Sequence, residues 1–156
     1  MASFDKLKAR RRSDYCFMLE YRTRWSDNDQ YAHMNNSIYN FLYDSVVNTY
    51  LIQHCGLRPT DGDQYGIVVH SHNDYFSSIS YPAVAELAMR VNKLGKSSVT
   101  YELALFEKGH EEVKSVGELV HVFVDRATGR PGANGMNETM RRGLEQIRGG
   151  ALQSKL

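Results

Sequence analysis

Between residues 15 and 25, Phe17, Leu19, Tyr21 and Trp25 alternate with Met18, Glu20, Arg22 and Arg24. Period-2 alternation predicts a strand with one buried face. Over residues 37–55 the spacing changes. Ile38, Phe41, Leu42, Ser45, Thr49 and Ile52 mark a helical stripe, while Tyr39, Tyr43, Val46, Val47 and Tyr50 cover much of the remaining circumference. Such a helix must be largely enclosed. Gly56 is placed to end it, and Pro59 with Asp61-Gly62-Asp63 marks a loop. Four strand patterns follow with no helix between them, at 67–79, 84–93, 97–106 and 113–125. Their connections at Tyr81-Pro82, Leu94-Gly95-Lys96 and Lys108-Gly109-His110 are short enough for antiparallel hairpins. Asn137 can cap a last helix on which Met136, Met140, Leu144 and Ile147 recur at helical spacing.

The predicted fold class is therefore α+β: a five-stranded antiparallel sheet whose apolar face is covered by one long helix, plus a C-terminal helix. At 156 residues the chain makes one domain, expected over residues 14–148, with an N-terminal arm over 1–13 and a tail over 149–156. A composition of 42% apolar and 24% charged residues, with a mean hydropathy of −0.49, excludes a membrane-spanning helix. Net charge is +1, unevenly spread. Lys6, Lys8, Arg10, Arg11 and Arg12 against Asp5 give the arm a net +4, which leaves about −3 for the body. The arm reads as solvated and flexible, and the body is too acidic for a nucleic-acid binder. Cys16 and Cys55 supply neither a disulfide framework nor a paired metal motif, and the N-terminus lacks the apolar stretch of a secretory signal.

Candidate chemistry concentrates in residues 24–39, between the first strand and the long helix, where Asp27, Asp29, His33, Asn35, Asn36 and Ser37 gather. The run Asp27-Asn28-Asp29-Gln30-Tyr31-Ala32-His33-Met34-Asn35-Asn36 resembles the Asp-x-Asp-x-x-x-His-x-Asn-Asn signature of the 4-hydroxybenzoyl-CoA thioesterase-like acyl-CoA thioesterases, and Leu94-Gly95-Lys96-Ser97-Ser98 is similar to a second feature of that family. The resemblance covers about residues 15–125. It implies the hot-dog fold, in which a curved antiparallel sheet wraps a central helix, and hydrolysis of an acyl- or aryl-CoA thioester.

By motif position the resemblance gives Asp29 the role of nucleophile or general base and the helix-start N–H of Asn36 that of oxyanion donor. His33 either assists, by orienting Asp29 or protonating the leaving thiolate, or makes a structural hydrogen bond. Asp27 reads as a loop-bonding residue, Asn35 as a helix cap and Tyr39 as core or subunit contact. Lys96, Ser97 and Ser98, with Arg90, are the candidates for the phosphates of coenzyme A, which enters as part of the substrate; no separate cofactor is expected. His70, His72 and Asp74 share a strand face, but with no third ligand set near them in sequence they read as a polar or interface face and no metal is expected.

The family also implies a homodimer or homotetramer that completes the site between subunits. Ser154-Lys155-Leu156 matches a peroxisomal import address, so a eukaryotic protein is expected in the peroxisome with an import receptor as partner, and otherwise in the cytoplasm. Two other functions fit the same residues: a hot-dog enoyl-CoA hydratase or dehydratase, and a non-catalytic acyl-CoA binding protein.

Overall fold

The computed structural model describes residues 2–149, so the Ser154-Lys155-Leu156 tripeptide lies outside the described residues. Its elements run α1 (Phe4–Lys8), β1 (Phe17–Arg22), α2 (Asn36–His54), β2 (Gln64–Tyr75), β3 (Val84–Leu94), β4 (Ser98–Glu107), β5 (Val113–Asp125) and α3 (Glu138–Glu145). The strands form one antiparallel sheet in the order β1-β3-β4-β5-β2. The sheet curves around α2, which is the expected hot-dog arrangement.

Asn35 caps the start of α2, and Gly56, in the left-handed region at φ 68°, ends it while Cys55 and Leu57 both donate to the Leu51 carbonyl. The buried face carries Tyr39, Leu42, Tyr43, Val46, Val47, Tyr50 and Leu51. These residues meet Leu87, Met89, Val91, Tyr101, Leu103 and Phe123 of the sheet in one core. Each fully buried aliphatic side chain contributes ~1.5–3 kcal/mol. The stripe expected to lead the packing lies partly on the other side, since Phe41 and Ile52 are 69% and 50% exposed. The tyrosines help to fix the buried face, since two of them donate to distant backbone, Tyr43 to the Ser115 carbonyl of β5 and Tyr50 to the Gly143 carbonyl of α3.

The connection through Tyr81-Pro82 is not a hairpin. Instead β1 occupies the place beside β3, with Phe17 opposite Met89, and β2 pairs along the far edge with β5. The intervening chain passes under the start of α2, anchored by buried Ile79. A β-bulge at Val69 shifts the β2 register between Val68 and His70. The last helix forms as expected, capped by Asn137, with Met136, Met140, Leu144 and Ile147 all buried.

The basic N-terminal segment, expected as a solvated arm, is folded against the outer face of the sheet. Leu7 of α1 is buried with Tyr15, Ala88, Ala104, Phe106, Val113 and Val116. Arg10 donates to both oxygens of Glu102 at 2.8 and 3.0 Å, and Arg12 donates to Glu86 at 2.7 Å. Charge alone suggested solvation. The carboxylates that neutralise it stand on β3 and β4, about 75 to 90 residues further along the chain, where local pattern cannot reveal them.

Candidate active site

The loop from β1 to α2 is built on Asp27, whose side chain is fully buried. Its Oδ2 accepts from the Arg24 backbone N–H at 2.7 Å and from the Tyr21 hydroxyl at 2.9 Å, while Oδ1 accepts from the Arg24 guanidinium at 3.0 Å. Burial by itself would raise this carboxyl, but the hydrogen bonds from Arg24 and Tyr21 outweigh it and hold the group below its ordinary value. The Asp27 carbonyl then takes the Asn35 N–H at 2.9 Å, fixing where α2 begins. Trp25, 81% exposed, rests edge-on against Tyr81 at 6.0 Å.

Asp29 sits in a tight turn. Its N–H donates to the His33 carbonyl and its Oδ1 accepts from the Tyr31 N–H, both at 2.8 Å, with Ala32 in the left-handed region at φ 61°. The half-buried carboxylate is thus held by one oxygen, and Oδ2 has no hydrogen bond among the described residues. The turn is tied to the chain under α2: Met34 N–H donates to the Ile79 carbonyl at 2.8 Å, the Ser80 hydroxyl to that of Ala32 at 2.8 Å, and Tyr81 N–H to Asn28 Oδ1 at 3.1 Å.

At the start of α2 the cap is selective. Asn35 Oδ1 accepts from the Ser37 N–H at 3.0 Å and the Ser37 hydroxyl at 2.6 Å, and the Asn35 carbonyl accepts from Ile38 N–H at 2.9 Å. The Asn36 N–H has no acceptor among the described residues. It is a free donor at the positive end of a 19-residue helix, where a developing oxyanion is favoured.

Asp29, His33 and Asn36 line one cleft of 570 Å³, shared with Tyr31, Met34, Tyr39, Tyr75 and residues 76–78. The three residues singled out in the sequence therefore meet. The His33 imidazole is exposed and makes no hydrogen bond among the described residues, so it is available to a ligand rather than tied into the loop. Tyr39 stacks edge-on against Tyr75 at 5.1 Å, and burial pushes its hydroxyl up to about 12, which leaves it a neutral wall of the cleft. The wall at Tyr75–Ser78 was not legible as such, because the strand pattern was read through Ile79. The adjacent Ser77-Ser78 and the Pro82 that follows were the available signs that β2 ends earlier.

Lys96, Ser97 and Ser98 lie elsewhere in the protomer. The Lys96 carbonyl accepts from Met136 N–H and the Ser97 carbonyl from Phe123 N–H, while Arg141 donates to the carbonyls of Gly95 and Lys96. That puts the loop beside α3, which packs against the C-terminal end of α2, about 28 Å along the helix from Asn36. Arg90 stands on the outer face of the sheet, donating to Asn92 Oδ1 at 2.8 Å and to the Asp14 carbonyl at 3.3 Å. Neither group shares the Asp29 cleft within one chain.

The pattern of the thioesterase-like superfamily matches residues 23–142, which span the loop, α2 and the whole of β2 to β5. The chain belongs to that superfamily. Among solved structures, the PA5185 protein of Pseudomonas aeruginosa is 42% identical with a TM-score of 0.86, covering 90% of this chain and 97% of its own. Two structures of lower identity share the architecture. A Staphylococcus aureus protein, SAV2348, solved in complex with CoA, is 18% identical with a TM-score of 0.77 over 86% of this chain and 84% of its own. The 1,4-dihydroxy-2-naphthoyl-CoA thioesterase of Synechocystis is 10% identical with a TM-score of 0.75 over 84% of this chain and 96% of its own. No curated protein sequence matches the chain. Among the described residues, no helix is long and apolar enough to cross a membrane.

Proposed function

We propose that this protein hydrolyses an acyl- or aryl-CoA thioester to the free acid and coenzyme A. The observation that carries the reading is the pairing, in one cleft, of a carboxylate with one unengaged oxygen and a helix-start N–H with no acceptor. The Asp29 carboxylate removes a proton from water as the water oxygen attacks the thioester carbonyl, or attacks that carbon itself to form, as the thiolate leaves, a mixed anhydride that water then hydrolyses to the free acid and the Asp29 carboxylate. The carbonyl oxygen gathers negative charge against the Asn36 N–H, and collapse of the tetrahedral intermediate expels the coenzyme A thiolate. His33, exposed at the same cleft, is placed to hydrogen-bond the thioester or to protonate the departing thiolate. The coenzyme A complex of the Staphylococcus aureus fold relative supports a CoA ester as the substrate class.

The site is completed in a homo-oligomer. The edge strand β2 presents unpaired backbone and the exposed side chains Ile67, Val68 and Val69, next to the exposed Phe41 of α2. Two copies joined antiparallel along this edge bring Tyr75, at the cleft end of β2, near Gln64 of the partner subunit. Gln64 bonds Gly135, which packs on Lys96. The two-fold thus carries the partner subunit's Lys96, Ser97 and Ser98 toward the Asp29 cleft, where the phosphates of coenzyme A extend from the thioester.

The test is thiol release from acyl-CoA esters of graded length and from aryl-CoA esters, with enoyl-CoA hydration assayed in parallel. Wild type should release thiol, and Asp29→Ala should lower kcat by ~10²-fold or more, the scale of losing one acid–base group. Equal turnover by Asp29→Ala would overturn the mechanism, and hydration without thiol release would overturn the activity.

A further inference from the structure

On the outer face of the sheet, outside the residues that line the cleft, the imidazoles of His70 and His72 and the carboxylate of Glu118 each offer a ligand atom, all within 4.8 Å of one another. The two histidines belong to the edge strand β2, while Glu118 lies directly opposite His72 on β5. The sequence offered only two alternating histidines and Asp74; the third ligand comes from a strand more than 40 residues away. We propose that His70, His72 and Glu118 form a site for one divalent transition-metal ion, of which Zn²⁺ fits the donor set best.

Three observations carry the proposal. His70 Nε2 and His72 Nδ1 stand 3.3 Å apart. Two nitrogens on a tetrahedral ion with Zn–N bonds of about 2.0–2.1 Å are separated by roughly that distance. The Glu118 carboxylate, partly buried, makes no hydrogen bond or ion pair among the described residues. The nearby cations are already engaged, Arg10 by both oxygens of Glu102, and Arg90 by Asn92 and the Asp14 carbonyl. Glu118 therefore faces two imidazoles with its charge uncommitted.

The backbone is also adapted to this grouping. Before the bulge, Val68 pairs with His121 and shares the inner face with Leu119; one extra residue, Val69, lets His70 pair with Val120 and turn outward with His72. In a regular strand those two side chains would point toward α2. Both rings stand off the sheet face and not in its plane, so pairing of the β2 edge with a second copy uses backbone and leaves the three ligands open. Two imidazoles and a single carboxylate favour Zn²⁺, Ni²⁺ or Cu²⁺ over the oxygen-seeking Mg²⁺ and Ca²⁺. Water would fill the remaining position.

Calorimetric titration of the full chain with ZnCl₂ tests this, with metal-stripped wild type compared with His70→Ala, His72→Ala and Glu118→Gln. One saturable Zn²⁺ per chain is expected, together with a rise in melting temperature on Zn²⁺ addition. Each histidine substitution should weaken binding by more than the ~10–100-fold typical of losing a supporting residue. His110→Ala should bind as wild type does. His70 is exposed, so its replacement should leave the metal-free melting temperature unchanged and keeps the test independent of folding. Absence of saturable binding, or binding that survives the histidine substitutions, overturns the proposal.

Discussion

The division of labour at the start of α2 is set by a single residue. The Asn35 side chain takes the Ser37 donors and its backbone carbonyl takes the Ile38 N–H, while Asn36 is left as the open amide among the described residues. Replacing Asn35 by Ala should cost about 1 kcal/mol of stability, and replacing it by Asp should retain most of it, as read by thermal unfolding. Equal losses for the two variants would show that the side-chain oxygen is not what holds the helix start. The residues of this constellation are legible because motif and cap are both local: Asp29, His33 and Asn36 lie within eight positions of one another. Tyr75 and Phe76, which face them, are not, because nothing local to a strand says what its end will stand beside. Asp27 is legible as a loop-bonding residue, and its carboxylate accepts four hydrogen bonds, from the Tyr21 hydroxyl, the Arg24 backbone N–H and two guanidinium N–H groups of Arg24.

At the level of elements, α2 begins one residue before the helix read from periodicity and ends one residue earlier, and β5 matches its predicted bounds. Pairing order was the illegible part. Short connections suggested neighbours, whereas β1 inserts beside β3 and sends β2 to the opposite edge. The N-terminal segment was misread for a related reason, its partners being far along the chain. Its docking gives a pH signature. Burial alone would raise the Glu102 carboxyl, but hydrogen bonds from Arg10 and Asn92 and the Arg10 charge hold it below its ordinary value. Since the folded value is depressed, this contribution is present above the unfolded value of about 4.5 and is lost as pH falls through the folded one. Melting temperatures of wild type and Arg10→Ala should therefore differ near neutrality and draw together progressively as the pH falls below the unfolded value of about 4.5. A constant gap across that window would assign the stabilisation to something other than the ion pair.

For the molecule as a whole, the open edge at β2 is the feature that a single chain leaves unfinished. A charge placed there, as in Val69→Lys, should shift the protein toward monomer in light scattering coupled to size exclusion. On the proposed arrangement it should also raise KM for the CoA ester, since the partner subunit's Lys96 loop is withdrawn. A variant that stays oligomeric with unchanged KM would place the interface elsewhere. Trp25 has a bearing on how all of these variants are followed. It is the sole tryptophan, and it is already 81% exposed in the folded protein. Its emission will therefore shift little when the chain unfolds, so a fluorescence melt would understate the transition and circular dichroism is the better optical measure of stability. The same indole, at a loop that carries Asp29 and lies against Tyr81, is instead suited to sensing events at the cleft: a ligand or second subunit that covers it should move the emission to shorter wavelength with no change in fold.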